Sequence, residues 1–245
     1  MSSSSEKVWL NLYPEISDQG SLTKAILAEC KPLQSVDLAV GTMSIGWAYF
    51  ELQDRFVQIA CGISERVLIT QLWHAGVHYA KAGPTEFKVA CALVKAWLIE
   101  RADLDGLGKN FGSIEISSGA YKFGAGKAVD YAWDQQLNGS NPEFVKAFQE
   151  AASRPVLRQL LPLTSHQTIR FSRVTGFPYT MDVPYIEALG HSDYVARRAS
   201  PNMFTPGDIL KRGTIFEAVA AILQILPADL APARNGTAND WVIGS

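Results

Sequence analysis

The clearest periodic signal in the chain lies between Thr85 and Arg101. There Phe87, Ala90, Cys91, Val94 and Leu98 recur at helical spacing, with Glu86, Lys88, Lys95 and Glu100 off the stripe and Trp97 at its edge. Ahead of it the period changes. Val36–Val40, Gly46–Leu52, Arg55–Cys61 and Arg66–Thr70 read as strands, and their short connections predict an antiparallel meander. Trp47 and Tyr49 face one side of their strand and Phe50 and Leu52 the other, which predicts cover on both faces. Val8–Tyr13 is a short apolar segment ended by Pro14, and Ser17–Cys30 reads as a helix through Leu22, Ala25 and Ile26, stopped at Lys31-Pro32. Gln71–Ala82 also reads as helical, which places His74 and His78 on one face.

Beyond a turn-rich connector at Asp103–Lys109, the chain predicts a helix over Ala128–Leu137 with Trp133 inward. A second helix begins at Asn141-Pro142-Glu143, where a cap, a first-turn proline and a carboxylate follow one another, and runs to Ala152 burying Phe144, Val145 and Phe148. Strands are expected over Val183–Leu189, with Pro184 marking a sheet edge, and over Asp193–Arg197. Thr214-Ile215-Phe216-Glu217 is a capping box opening a helix that buries Phe216, Val219, Ala220 and Leu223. The fold class is α+β: an N-terminal antiparallel β-meander, central helices, a second strand group and a C-terminal helix. The organisation expected is a single domain over 1–245, with flexible tails at 1–6 and 232–245 and lobes at 7–152 and 153–231.

The densest chemistry falls between Arg154 and Tyr185. Read as one strand, Ser165–Arg173 turns His166, Thr168, Arg170 and Ser172 to one side and Gln167, Ile169, Phe171 and Arg173 to the other. His166 and Arg170 would then lie roughly 13 Å apart along one face. His166 is the neutral-pH proton carrier of the block, and Arg170 the anchor for a carboxylate or oxyanion. Arg173 is expected to pair with Asp182 or to fix the turn at Gly176-Phe177-Pro178, from which Tyr179 and Asp182 return toward the strand. The same residues also suit a plain strand corner locked by an Arg–Asp pair.

The run Thr164-Ser165-His166-x-Thr168-x-Arg170-Phe171-Ser172-Arg173-x-Thr175-Gly176-Phe177-Pro178, preceded by Pro155, Leu157-Arg158, Leu160 and Pro162, resembles the signature block of a bacterial domain of unknown function labelled a natural-product biosynthesis protein. The Leu72–Gly76 segment and the strand-rich first third are weaker points of resemblance. The resemblance implies a biosynthetic context without specifying a reaction. Relatives often place a cysteine where this chain has Val174, so a thiol nucleophile is not available at that position.

Composition narrows the field. The chain has 245 residues, 47% hydrophobic and 19% charged, which is enough to bury a core. A formal net charge of -2 argues against nucleic acid as a partner. Cys30, Cys61 and Cys91 are odd in number and widely spaced, which fits small core residues in a reducing cytoplasm. The serine-rich start lacks an apolar signal core, and no membrane span is expected. His74 and His78 lack the glutamate and third ligand of a zinc motif, and the glycine-rich Phe123–Lys127 run fails both nucleotide-binding patterns, so neither metal nor cofactor is expected.

Two functions fit. One is a cofactor-independent tailoring enzyme, with His166, Arg170 and Asp182 catalytic and Thr168, Ser172, Arg173 and Tyr179 holding a small-molecule or peptide-like intermediate, for cyclisation, isomerisation or hydrolysis. The other is a non-catalytic binding, carrier or self-protection protein of the same pathway, which the lack of a complete triad favours.

Overall fold

The computed structural model describes residues 11–200 and 205–242, and the chain divides into two compact units at residues 120 and 121. The boundary lies well before the lobe boundary expected at 152, because the helices after it pack on the second sheet. Val8–Leu10 and the proposed N-terminal tail lie outside the described residues.

The first unit is a six-stranded antiparallel meander, with strands neighbouring one another in chain order. They are β1 (Ala39–Ser44), β2 (Trp47–Leu52), β3 (Arg55–Cys61), β4 (Leu68–His74), β5 (Val77–Ala82) and the short β6 (Glu115–Ile116). Ahead of the sheet the expected single helix is split into α1 (Pro14–Gln19) and α2 (Leu22–Glu29). Gly20 takes a left-handed φ of 81 that ends α1, and the Ser21 side chain caps α2 through the Lys24 amide. The stripe at 87–98 forms α3 (Phe87–Leu98), with Ala90, Cys91, Val94 and Leu98 buried as its periodicity predicts. α2 lies against β2, and α3 against β3 and β4, over a core that includes Phe50, Val57, Ile59 and Leu72.

The segment 71–82 is not a helix. Ala75 and Gly76 both adopt positive φ, 47 and 75, and form the two-residue turn between β4 and β5. The turn pairs Trp73 with His78 across the strands and His74 with Val77. The two histidines therefore face opposite sides of the sheet rather than sharing a helix face. His74 bonds Asp54 at 2.6 Å and meets the Tyr79 ring edge-on. His78 packs edge-on against Trp73, which stacks on Phe56, and the ring row continues through Tyr49 to Trp47. The connector expected at 103–109 is instead helical, α4 (Leu104–Asn110), capped by the Asp103 carboxylate on the Gly106 amide.

α5 (Ser118–Gly124) crosses the unit boundary. The second unit then lays α6 (Ala128–Leu137), α7 (Pro142–Ala152) and, after the one-turn α8 (Pro155–Arg158) that packs on α7, α9 (Ile215–Leu223) against a five-stranded antiparallel sheet. Its order is β11-β10-β9-β8-β7, from β7 (Leu161–Ser165), β8 (Thr168–Ser172), β9 (Tyr185–Gly190), β10 (Asp193–Arg197) and β11 (Ile209–Gly213). Trp133 is fully buried, donates its indole N–H to the Leu160 carbonyl and meets Phe148 edge-on. Asn141 caps α7, and Thr214 with Glu217 forms the capping box of α9, both as the sequence predicts. The buried stripe of α9 is Ile215, Ala218, Val219 and Ile222, whereas Phe216 is 59% exposed. The stripe starts one residue earlier than expected because Ile215, directly after the cap, already points inward.

Two further expectations change. The single strand expected at 165–173 is a hairpin whose turn is His166 and Gln167, with His166 at φ 55. The segment after Ala228, expected to fray, is hydrogen-bonded along 173–178: the Thr175 amide donates to Arg234, Gly176 to Gly236 and Ala238 to Pro178. It ends in α10 (Ala238–Val242).

Burial lowers the His78 imidazole below its ordinary 6.5, with a backbone bond at Ala80 opposing the shift and Lys81 reinforcing it. A depressed folded pKa means that the unfolded chain takes up the proton first. The stability His78 contributes is complete above its ordinary value and is lost as pH falls through the folded one. The unfolding free energy is therefore expected to fall as pH drops below the ordinary 6.5. His78→Gln, which cannot titrate, should flatten that slope in urea denaturation; an unchanged slope assigns the loss to other groups.

Candidate functional site

β8 is buried on both faces, and that is unusual for a strand reading T-I-R-F-S. Ile169 and Phe171 enter the core beneath α7. Arg170 and Ser172 point the other way and are also buried, at 8% and 0% exposure. Ser172 and Arg170 do different things there.

Ser172 is structural. Its Oγ accepts from the amides of Val174 and Thr180 at 3.1 and 3.2 Å. The Thr180 hydroxyl accepts from the Arg173 amide at 2.9 Å. These bonds pin the loop 173–180 back onto the end of its own strand.

Among the described residues Arg170 is held without a counter-ion. Its guanidinium lies 4.0 Å above the Tyr185 ring, on the neighbouring strand β9. Its Nε donates to the Thr168 hydroxyl at 3.3 Å, and one Nη reaches the Met181 sulfur at 3.8 Å. Among the described residues no carboxylate lies within ion-pairing distance of it. Glu187, which faces Thr168 across the strands, is taken by Arg197 at 2.7 Å. Arg197 also donates to the Gly207 carbonyl at 3.1 Å, and the Gly207 amide donates to the Tyr185 hydroxyl at 3.3 Å. Gly207 has to be glycine, since a Cβ there would fall 2.1 Å from the Arg198 carbonyl oxygen. A guanidinium has five donors in a planar fork, and Arg170 spends two of them on weak acceptors.

The remaining predicted residues are dispersed. His166 stands on the exposed hairpin turn, with the Ser165 hydroxyl 3.3 Å from its Nδ1. It does not share the buried polar row with Arg170, because the turn removes it from the strand. Tyr179 is half-buried against Phe177, and burial pushes its hydroxyl pKa up. Arg173 pairs with Asp182 at 2.8 Å, as its position suggested.

That pair lines a pocket of about 330 Å³ together with Arg198 and an apolar wall formed by Ile225, Leu226 and Leu230. Sequence reasoning missed Tyr185, Glu187, Arg197 and Arg198 as site residues. The adjacent arginines at 197 and 198 were the one visible signal. A larger hollow of about 480 Å³ in the first unit is lined by Glu15, Glu29 and Glu86, with Arg66 tied to Glu15. With Asp18 and Lys88 also in the lining, carboxylates outnumber cations there, and none of the block residues reaches it.

Residues 127–237 match the model of a family of unknown function, DUF6193. The match spans both the Arg170 row and the Arg173 pocket. No curated protein and no solved structure matches the chain. Among the described residues no helix is long and apolar enough to cross a membrane.

The role of Ser172 is testable. Ser172→Ala leaves two buried amides without an acceptor, which is expected to cost about 2–4 kcal/mol. Urea denaturation should show this loss, while Ser165→Ala, at the end of β7 where the hydroxyl meets only the exposed His166 ring, should stay within about 0.5 kcal/mol. Equal effects would show that the Ser172 bonds do not hold the loop.

Proposed function

We propose that this protein serves natural-product biosynthesis by holding an anionic small-molecule or peptide-like intermediate against Arg170. The observation that carries the reading is the buried guanidinium without a carboxylate. Burying an unpaired charge is costly, and a fold retains one where a ligand completes it. Tyr185 stacks beneath the fork, and the Glu187–Arg197–Gly207 chain fixes Tyr185 in turn. A fork positioned by its neighbours suits a planar carboxylate or a phosphate oxygen pair. The natural-product context rests on the resemblance of the Thr164–Pro178 block. A cytoplasmic setting rests on three cysteines that are all free thiols.

Anchoring is better supported than proton transfer. A tailoring enzyme would use His166 as its acid or base, yet His166 stands on an exposed turn, away from the polar row. A binding, carrier or self-protection role needs only the anchor. Both roles share the anion site, and one experiment addresses them together.

The experiment is a titration of the labelled protein with inorganic phosphate, followed at the Nε–H resonance of Arg170 and at the His166 ring. The Arg170 signal is expected to shift saturably. Arg170→Lys keeps the charge but loses the fork, and phosphate binding measured by calorimetry should weaken about tenfold or more. The His166 signals are expected to stay in place. An Arg170 resonance that ignores phosphate overturns the proposal, and His166 signals moving with the same midpoint would return the acid–base reading to first place.

A further inference from the structure

The pocket beside the Arg173–Asp182 pair has a composition of its own. Of its charged groups, Arg173 and Asp182 bind each other at 2.8 Å. Arg198 is exposed, and among the described residues its guanidinium has no hydrogen-bonded or ionic partner. Two arginines and one aspartate leave the lining with one net positive charge, located at Arg198. The rest of the wall is aliphatic: Ile225, Leu226 and Leu230 follow α9, and Ile225 is 36% exposed for lack of cover. A volume of about 330 Å³ accommodates a small molecule rather than a chain.

The wall is also firmly built. The Leu230 carbonyl accepts from the Gln159 side chain at 2.6 Å, and the Leu230 amide donates to Pro227 at 3.2 Å. On the other side the Arg198 amide donates to Asp208 at 2.9 Å, which fixes the backbone that carries the free guanidinium. The cation is therefore displayed at the edge of a preformed apolar recess.

We infer that this pocket is a second ligand site, separate from Arg170, and that it takes a small monoanionic amphiphile. The carboxylate would meet Arg198, and a short aliphatic body would cover Ile225, Leu226 and Leu230. One net positive charge matches one carboxylate, and the exposed apolar wall supplies the driving force that a bare anion would lack. The inference does not depend on the anion at Arg170.

The test is calorimetric titration of the full chain with hexanoate, with hexanamide as the uncharged control of equal length. Hexanoate is expected to bind saturably and hexanamide at least about tenfold more weakly. Arg198→Gln should weaken hexanoate about tenfold, and since Arg198 is exposed the variant should fold normally. Ile225→Glu, which places a carboxylate on the apolar wall, should abolish binding. Arg198→Gln should leave the phosphate response of the Arg170 Nε–H resonance unchanged, so that failure here and failure at the Arg170 site are told apart. Absence of saturable hexanoate binding, equal affinity for hexanamide, or an unaffected Arg198→Gln variant overturns the inference.

Discussion

The second unit depends on how β8 is buried. A strand covered on both faces usually carries apolar residues on both, but this one carries an arginine and a serine opposite Ile169 and Phe171. Ser172 meets the requirement for buried polar groups by closing the loop 173–180 on itself. Arg170 meets it only in part, through an aromatic face, a hydroxyl and a sulfur. A cation–π contact with a desolvated ring is worth about 2 kcal/mol, less than the cost of desolvating a charge. The shortfall is the physical basis for assigning Arg170 an anionic ligand.

The surroundings of Arg170 are organised to keep it that way. Glu187 is the carboxylate on the same sheet face, and Arg197 holds it at 2.7 Å. Asp182 is held by Arg173 at 2.8 Å. The sequence thus supplies carboxylates near Arg170 but pairs each with a different arginine. The loop beyond β10 contributes through Gly207, whose amide and carbonyl bind Tyr185 and Arg197, so the ring under Arg170 is anchored from a distant part of the chain. The C-terminal segment runs beside 173–178 and completes the support of the same loop.

What could be read in the sequence was local. The stripe of α3, the Asn141 cap and the Thr214–Glu217 box each depend on residues within one or two helical turns, and each is present. The meander was legible from the short connections between its strands, apart from β5. The stretch 71–82 was misread because a short apolar run fits either period, and the deciding feature was a two-residue turn at Ala75-Gly76. His166 was misplaced for the same reason, since a hairpin turn interrupts an alternation that continues on both sides of it. The Arg173–Asp182 pair was legible because a turn brings near neighbours together. The stacking of Arg170 on Tyr185 and the chain through Glu187, Arg197 and Gly207 were not, because they depend on strand register across β8, β9 and β10. Arg198 was visible only as one of two adjacent arginines; its significance comes from the wall that α9 and the following turn build beside it.

The most direct test of the central claim is the stability of Arg170→Met in buffer free of oxyanions. If Arg170 is an uncompensated charge retained for a ligand, methionine, which fills the same space against Tyr185, should leave the unfolding free energy within about 1 kcal/mol of the parent or raise it by up to a few kcal/mol. If Arg170 instead holds the fold together, the variant should lose about 3 kcal/mol or more in urea denaturation, and the assignment of an anion site would be contradicted.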